Sequence, residues 1–156
     1  MATIQSPADM QLAAFLDRFT PEIAAEARAA RRAIRSLLPS ATELVYDNYN
    51  ALVIGYGPSD QSSGAFLSLA LYPRWVTLFF LQGAALPDPE GLLEGNGSTG
   101  RGIRLTGGAA DLSKPAIGKL IAAAITTAKV PLAANTKSGG LVIKAISEKL
   151  RPRRPR

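Results

Sequence analysis

Residues 43–81 read ELVYDNYNALVIGYGPSDQSSGAFLSLALYPRWVTLFFL, and this stretch decides the fold. It contains four segments rich in Val, Ile, Leu, Tyr and Phe, the residue types that strands favour. The segments cover 43–49, 51–56, 66–72 and 75–81. The breaks after the second and third segments, GPSD at 57–60 and PR at 73–74, are typical of turns between antiparallel neighbours. The stretch therefore predicts consecutive antiparallel strands.

The two faces of this sheet differ in character, because successive side chains of a strand point to opposite faces. In the third segment every second residue is a leucine, at Leu67, Leu69 and Leu71. The residues that alternate with them include Ser68 and Ala70. One face is thus apolar and the other mixed, and we expect helices to pack on the apolar face.

Helices are predicted on both sides of the strands. Ser6-Pro7 and Thr20-Pro21 each combine an N-cap residue with a proline in the first helical turn. Apolar residues then recur every three to four positions until Pro39, which predicts that the second helix ends there. Beyond a turn-rich connection at 83–101, the sequence predicts a short strand at 103–106 and an amphipathic helix that ends before Pro131. Residues 141–150 are compatible with a second, short C-terminal helix.

These patterns predict an α+β fold in one domain. An antiparallel sheet of about five strands would pack against two N-terminal helices and one or two C-terminal helices. We assign residues 1–148 to this domain, with a core of about 7–130 and a C-terminal extension at 131–148. A chain of 156 residues is long enough to bury a substantial core.

The net charge of +6 belongs almost wholly to the end of the chain. Five basic residues lie in the last eight positions: Lys149, Arg151, Arg153, Arg154 and Arg156. They leave 13 basic against 12 acidic residues in 1–148. Because prolines and like charges oppose regular structure, the sequence predicts a disordered basic tail at 149–156. A weak contact with nucleic acid through these five side chains is one functional alternative.

Composition excludes several classes of chemistry. The chain has no His and no Cys, which excludes Ser-His-Asp and Cys-His nucleophile systems, Cys/His zinc sites and disulfides. No paired carboxylates or activated lysine can be recognised, so the sequence predicts no catalytic residue, no cofactor and no metal site, and an enzyme is the least favoured reading. The N-terminal residues do not resemble a secretory signal, and the uncharged stretches are too short to span a membrane. We therefore expect a cytoplasmic protein without a membrane partner.

Binding is the function that the remaining signals favour. The polar run YDNYN at 46–50 interrupts an apolar segment, and is either a bulge or part of a site. On the mixed sheet face, Tyr46, Tyr49, Asn50 and Trp75 are candidates for contacting a small molecule or a protein partner. Arg101, between two glycines, is the candidate for holding a carboxylate or phosphate group.

Two further motifs have a structural alternative. The GxGxxG pattern at 95–100 lacks the preceding strand and following helix that a dinucleotide site requires, which favours a turn. Four arginines share one stripe of the second helix, where they could bind phosphates or simply flank the core with their aliphatic stems. These are Arg28, Arg31, Arg32 and Arg35.

The order of these elements resembles the YdhG-like family, domain of unknown function 1801. The resemblance is carried by ELVY at 43–46, LYP at 71–73 and TGRGIRL at 99–105, with FL at 15–16 and IR at 34–35. It implies a small α+β fold with helices covering an antiparallel sheet. For part of the family it also implies a frataxin-like iron-carrier role with oxygen ligands, which is the first functional alternative, ahead of the nucleic-acid contact.

Overall fold

A six-stranded sheet forms the centre of the computed structural model, which describes residues 6–128 and 139–155. The strands are β1 (Thr42–Asp47), β2 (Leu52–Gly57), β3 (Leu67–Leu71), β4 (Val76–Phe80), β5 (Arg101–Arg104) and β6 (Leu141–Ile146). Their spatial order is β5-β4-β3-β2-β1-β6. The first five strands are antiparallel to their neighbours, as predicted, whereas β6 runs parallel to β1. The α+β class is confirmed, and the sheet is mixed rather than wholly antiparallel.

The prediction of a short C-terminal helix at 141–150 is wrong, because residues 141–146 form strand β6. The segment LVIKAI contains Val and Ile, which strands favour, and Leu141 and Ile143 pack against the core. The N–H of Glu43 donates to the carbonyl of Gly140 at 2.8 Å as β6 begins. Pairing with β6 satisfies backbone groups of β1 that would otherwise form a free edge. Pairing with β1 therefore stabilises residues 141–146 as a strand.

Three helices pack on one face of the sheet: α1 (Pro7–Leu16), α2 (Pro21–Leu37) and α3 (Pro115–Thr126). The side chains of Ser6 and Thr20 cap α1 and α2, as the sequence predicts. Apolar residues of all three helices join the β3 leucines in one buried cluster. Within the described residues, no helix combines the length and apolarity needed to cross a membrane.

The strand register defines the two faces of the sheet. One row across β1–β4 is Val45, Ile54, Leu69 and Leu78, which belong to the core, and we call this side the helix-covered face. The adjacent row is Tyr46, Val53, Ala70 and Thr77, which point to the opposite side, here called the open face. The predicted contrast between an apolar and a mixed face is thus present.

The C-terminal tail is packed against the domain, so the prediction of disorder is wrong for residues 149–155. Arg153 is buried, and its Nη2 donates to Asp47 Oδ1 at 2.9 Å. The N–H of Arg151 donates to the carbonyl of Tyr49 at 2.9 Å. Asp47 lies on the helix-covered face of β1, where an unpaired carboxylate would be costly. Pairing with Asp47 outweighs the repulsion between the tail arginines. Residue 156 and residues 129–138, from the end of the predicted core into the extension, lie outside the described residues.

A loop carboxylate makes one stability contribution that depends on pH. Asp111 is buried, accepts a hydrogen bond from the N–H of Gly107 at 2.8 Å and pairs with Lys114 at 3.1 Å. The Gly107 N–H and Lys114 outweigh burial and lower the pKa of Asp111. A lowered pKa means that the contribution is present above the unfolded-state pKa and is lost as pH falls through the folded-state value.

We therefore expect Asp111→Asn to reduce the free energy of unfolding by about 1 kcal/mol at pH 7 and by less at pH 3. Urea unfolding at the two pH values measures this difference, with Asp60→Asn as a matched change at an exposed loop position. Burial and the negative charge of Asp111 raise the pKa of Glu26, so the same substitution should lower that pKa in an NMR titration. An equal loss of stability at both pH values would contradict the assignment.

Candidate functional site

The open face of the sheet contains a cleft of about 360 Å³, called here the open-face cleft. Its floor is formed by small residues of β2 and β3, and its walls by larger ones. The floor residues are Gly55, Ser68 and Ala70, and the wall residues are Tyr46, Tyr72, Phe79 and Leu81. The cleft therefore lies on the mixed face predicted to carry the site.

The pattern of residue size explains why the face is hollow. Gly55 and Ser68 are directly paired neighbours, and Ala70 lies one step farther along β3 on the same face. Together they present little side-chain volume between the rings of Tyr46 and Phe79. The floor is recessed, since Ser68 is 6% exposed and Ala70 is 9% exposed. The sheet thus provides a base of small residues for a ligand, with the Ser68 hydroxyl as its one polar side-chain group.

The rim of the cleft carries two hydroxyl groups. Tyr46 Oη and Ser62 Oγ form a hydrogen bond with each other, and Ser62 lies in a short 3₁₀ turn between β2 and β3. The same loop is held from β6, because Lys144 Nζ donates to the carbonyl of Asp60 at 2.9 Å. A hydroxyl can both donate and accept, so this pair can exchange its mutual bond for bonds to a ligand.

The loop glycine before β5 supports a wall of the cleft. A Cβ added to Gly100 would lie 2.2 Å from the Cζ atom of Phe79, so only glycine allows the backbone to lie this close to the ring. The TGRGIRL motif therefore has a packing role here. Gly100 does not orient the neighbouring Arg101 side chain toward the open-face cleft.

Arg101 is a predicted site residue that the structure places on the other side of the sheet from Tyr46. It pairs with the core residue Phe80 across β4 and β5, which puts it on the helix-covered side of the sheet edge. Its Nη1 donates to the carbonyls of Gly97 and Gly100, both at 2.6 Å. Strand alternation and these loop carbonyls direct the guanidinium away from the open-face cleft.

The other predicted residues lie at a second cavity, a groove of about 590 Å³ at one end of the sheet. We call it the tail groove, because residues of the C-terminal tail form one side. Its lining includes Asn50, Tyr72, Arg74, Trp75, Arg151 and Arg154. Tyr49 is exposed beside it, with its ring centroid 5.8 Å from the Arg151 guanidinium. Tyr72 lines both cavities, so the groove and the cleft are neighbours.

The polar run at 46–50 is thus divided between a strand, a turn and two cavities. The Tyr46 side chain points to the open face and the Asp47 side chain to the helix-covered face. Asn50 belongs to the turn before β2. Sequence reasoning missed Gly55 and Phe79 as cleft residues. The signal that could have located the floor was the Ser68 and Ala70 alternation with leucines in β3.

Behind the cleft, on the helix-covered face, lies a buried ion-pair network. Glu43 is 3% exposed and accepts hydrogen bonds from Arg31 Nε at 2.8 Å and Arg31 Nη2 at 2.9 Å. Tyr56 Oη donates to the same carboxylate at 2.9 Å. Burial, followed by the negative charge of Glu43, raises the pKa of Tyr56 well above its ordinary value. Arg31, one of the four stripe arginines on α2, therefore pairs with a buried carboxylate.

The described residues, 6–128 and 139–155, contain no group of three or more acidic side chains placed to hold a metal ion together. Comparisons with protein-family models, curated proteins and solved structures found no match to this chain.

Proposed function

We propose that this protein is a non-enzymatic cytoplasmic binding protein that takes a small, largely uncharged organic molecule into the open-face cleft. The observation that carries the proposal is the combination of a floor of small residues, aromatic walls and two hydroxyl groups at one rim. Ligand sites commonly have this composition, with a few polar groups that fix the orientation of the ligand.

The chemistry of the lining defines the ligand class. A volume of about 360 Å³ suits a molecule of one or two rings. No charged side chain is among the described residues that line the cleft, so a buried ionic group on a ligand would lack a partner. Tyr46 and Ser62 favour a ligand with one hydroxyl or carbonyl group at the rim.

The same lining favours binding over catalysis. Among the described residues it offers hydroxyls but no carboxylate, amine or imidazole in position to accept a proton from them. The resemblance to the YdhG-like family stays a prediction, as does the iron-carrier alternative. A protein partner on the open face is the alternative occupant.

An NMR titration with 2-naphthol, a neutral two-ring probe with one hydroxyl, tests the proposal. We expect saturable changes in amide chemical shift at the floor residues Gly55, Ser68 and Ala70. Replacement of Ala70 by Phe should reduce the affinity for 2-naphthol at least tenfold, because the new ring would occupy the floor. The matched control is Ala110→Phe, which adds the same ring at an exposed position and should leave binding unchanged.

The proposal fails if Ala70→Phe binds 2-naphthol as tightly as the unaltered protein, or if the shift changes map to another surface.

A further inference from the structure

The tail groove differs from the open-face cleft in charge. Three arginines line it and a fourth lies against its Trp75 ring, and the described residues contain no carboxylate within ion-pair distance of any of the four. They are Arg74, Arg104, Arg151 and Arg154. Arg18, Arg28, Arg31 and Arg153, by contrast, all pair with Asp or Glu. The groove is therefore a local concentration of uncompensated positive charge that favours an anion.

The groove also contains an aromatic platform. The rings of Tyr72 and Trp75 have centroids 5.3 Å apart and planes inclined by 32°. The Arg104 guanidinium lies 3.8 Å from the centroid of the Trp75 ring, a cation–π contact that covers one face of the indole and leaves stacking to the other. Arg104 is not part of the groove lining, whereas Trp75 and Tyr72 both are. The platform thus combines an indole with a neighbouring phenol.

The buried Arg153 fixes the basic side of the groove. Its guanidinium lies inside, paired with Asp47, while residues 151–152 and 154–155 on either side of it are exposed. Arg151 and Arg154 are exposed and line the groove. Arg154 is also held through its Nε, which donates to the carbonyl of Arg18 at 3.2 Å. Arg151 and Arg154 are therefore held in fixed positions along one side of the groove.

We propose that the tail groove binds nucleotides, with a base stacked on the Trp75 and Tyr72 platform and a phosphate held by Arg151 and Arg154. Stacking on aromatic rings and contact with arginines are the two features of binding sites for unpaired nucleotides. A free nucleotide and a nucleotide within a single strand present the same chemistry. The inference is independent of the proposed function, because it concerns a different cavity.

Base pairs within a duplex are not accessible to such a platform, which predicts a preference for single strands. Each base stacked on an aromatic side chain contributes about 1–3 kcal/mol, and each phosphate contact adds dependence on salt. With two to four arginines engaged, we expect the log–log slope of affinity against salt to lie at about −1.5 to −3 for a single strand.

The single tryptophan of the chain makes the test specific to the groove. At low salt, Trp75 fluorescence is followed during titration with ATP, with an eight-nucleotide oligothymidine and with a duplex of the same length. We expect saturable quenching by ATP or by the single strand, and weaker quenching by the duplex. A preference for ATP identifies a free nucleotide as the ligand, and a preference for the oligonucleotide identifies a strand.

Variants then separate the groove from general charge. The double substitution Arg151→Gln/Arg154→Gln should weaken binding at least tenfold, whereas Arg32→Gln on the exposed side of α2 should leave it unchanged. Anisotropy of a labelled oligonucleotide should show a loss of tenfold or more in Trp75→Ala and retention of most affinity in Trp75→Phe. The proposal is overturned if millimolar ATP and the single strand leave Trp75 fluorescence unchanged. It is equally overturned if duplex binds as tightly as single strand, or if Arg32→Gln weakens binding as much as the groove variants do.

Discussion

Arg153→Ala should lower the free energy of unfolding by about 3 kcal/mol, and truncation after Leu150 should do the same. Asp47 and Arg153 are 1% and 5% exposed, and their side chains meet at 2.9 Å. Removal of the guanidinium leaves the buried Asp47 carboxylate with Arg18, which is half-exposed and 3.2 Å away. A buried charge that loses its main partner is strongly destabilising.

The loss should fall at the lower end of the range for buried pairs, about 3–5 kcal/mol, for two reasons. Arg18 retains part of the interaction with Asp47, and Arg153 Nε is buried without a hydrogen-bond partner among the described residues. Urea unfolding measures the effect, with Arg151→Ala as the control on an exposed side chain of the same tail. In a double-mutant cycle, Asp47→Asn and Arg153→Ala should be less than additive. A truncated protein that melts like the intact one would contradict the structural role of Arg153.

Arg31→Ala is the second substitution with a large expected effect, also about 3–5 kcal/mol. It removes two hydrogen bonds, at 2.8 and 2.9 Å, from the buried carboxylate of Glu43. Arg35 lies 3.8 Å from that carboxylate, too far to replace both bonds. Burial alone would lower the pKa of Arg31, but the hydrogen bond and charge of Glu43 outweigh it and raise that pKa.

Tyr56→Phe should reduce the free energy of unfolding by less than Arg31→Ala does. It removes one hydrogen bond to Glu43 and should cost about 1–2 kcal/mol at pH 7. Because the pKa of Tyr56 is raised in the folded protein, its contribution is present at neutral pH. That contribution is lost as pH rises above about 10, where the unfolded tyrosine ionises.

Urea unfolding at pH 7 and pH 10.5 measures both effects, with Arg32→Ala as the exposed control on the same helix. The deficit of Tyr56→Phe should shrink at the higher pH. If Arg31→Ala cost no more than Arg32→Ala, Glu43 would not depend on this network.

Local sequence signals were sufficient for most of the fold. Strands β1–β4 follow from apolar segments separated by turn residues, and the capped starts of α1 and α2 follow from Ser-Pro and Thr-Pro steps. The parallel pairing of β6 could not be predicted, because it depends on an edge of β1 that only the assembled sheet presents. The packed tail escaped prediction for a related reason. Nothing in the RPRRPR segment indicates that one of its arginines pairs with Asp47, a buried carboxylate more than 100 residues earlier in the chain.

The candidate site was predicted in part. The mixed face and Tyr46 were identified, because strand alternation reveals which side chains share a face. Asn50 and Trp75 were assigned to the same site as Tyr46, but they line a neighbouring groove. Arg101 was assigned to the site only because glycines flank it. Its pairing with Phe80 across β4 and β5 places it on the helix-covered side of the sheet edge instead.

A crystallographic fragment screen with neutral one- and two-ring compounds tests the open-face cleft most directly. We expect bound fragments between the Tyr46 and Phe79 rings, above Ser68 and Ala70, with a fragment oxygen hydrogen-bonded to Tyr46 or Ser62. Fragments found only at other surfaces, with the open-face cleft empty throughout the screen, would contradict the proposal that this cleft is the binding site.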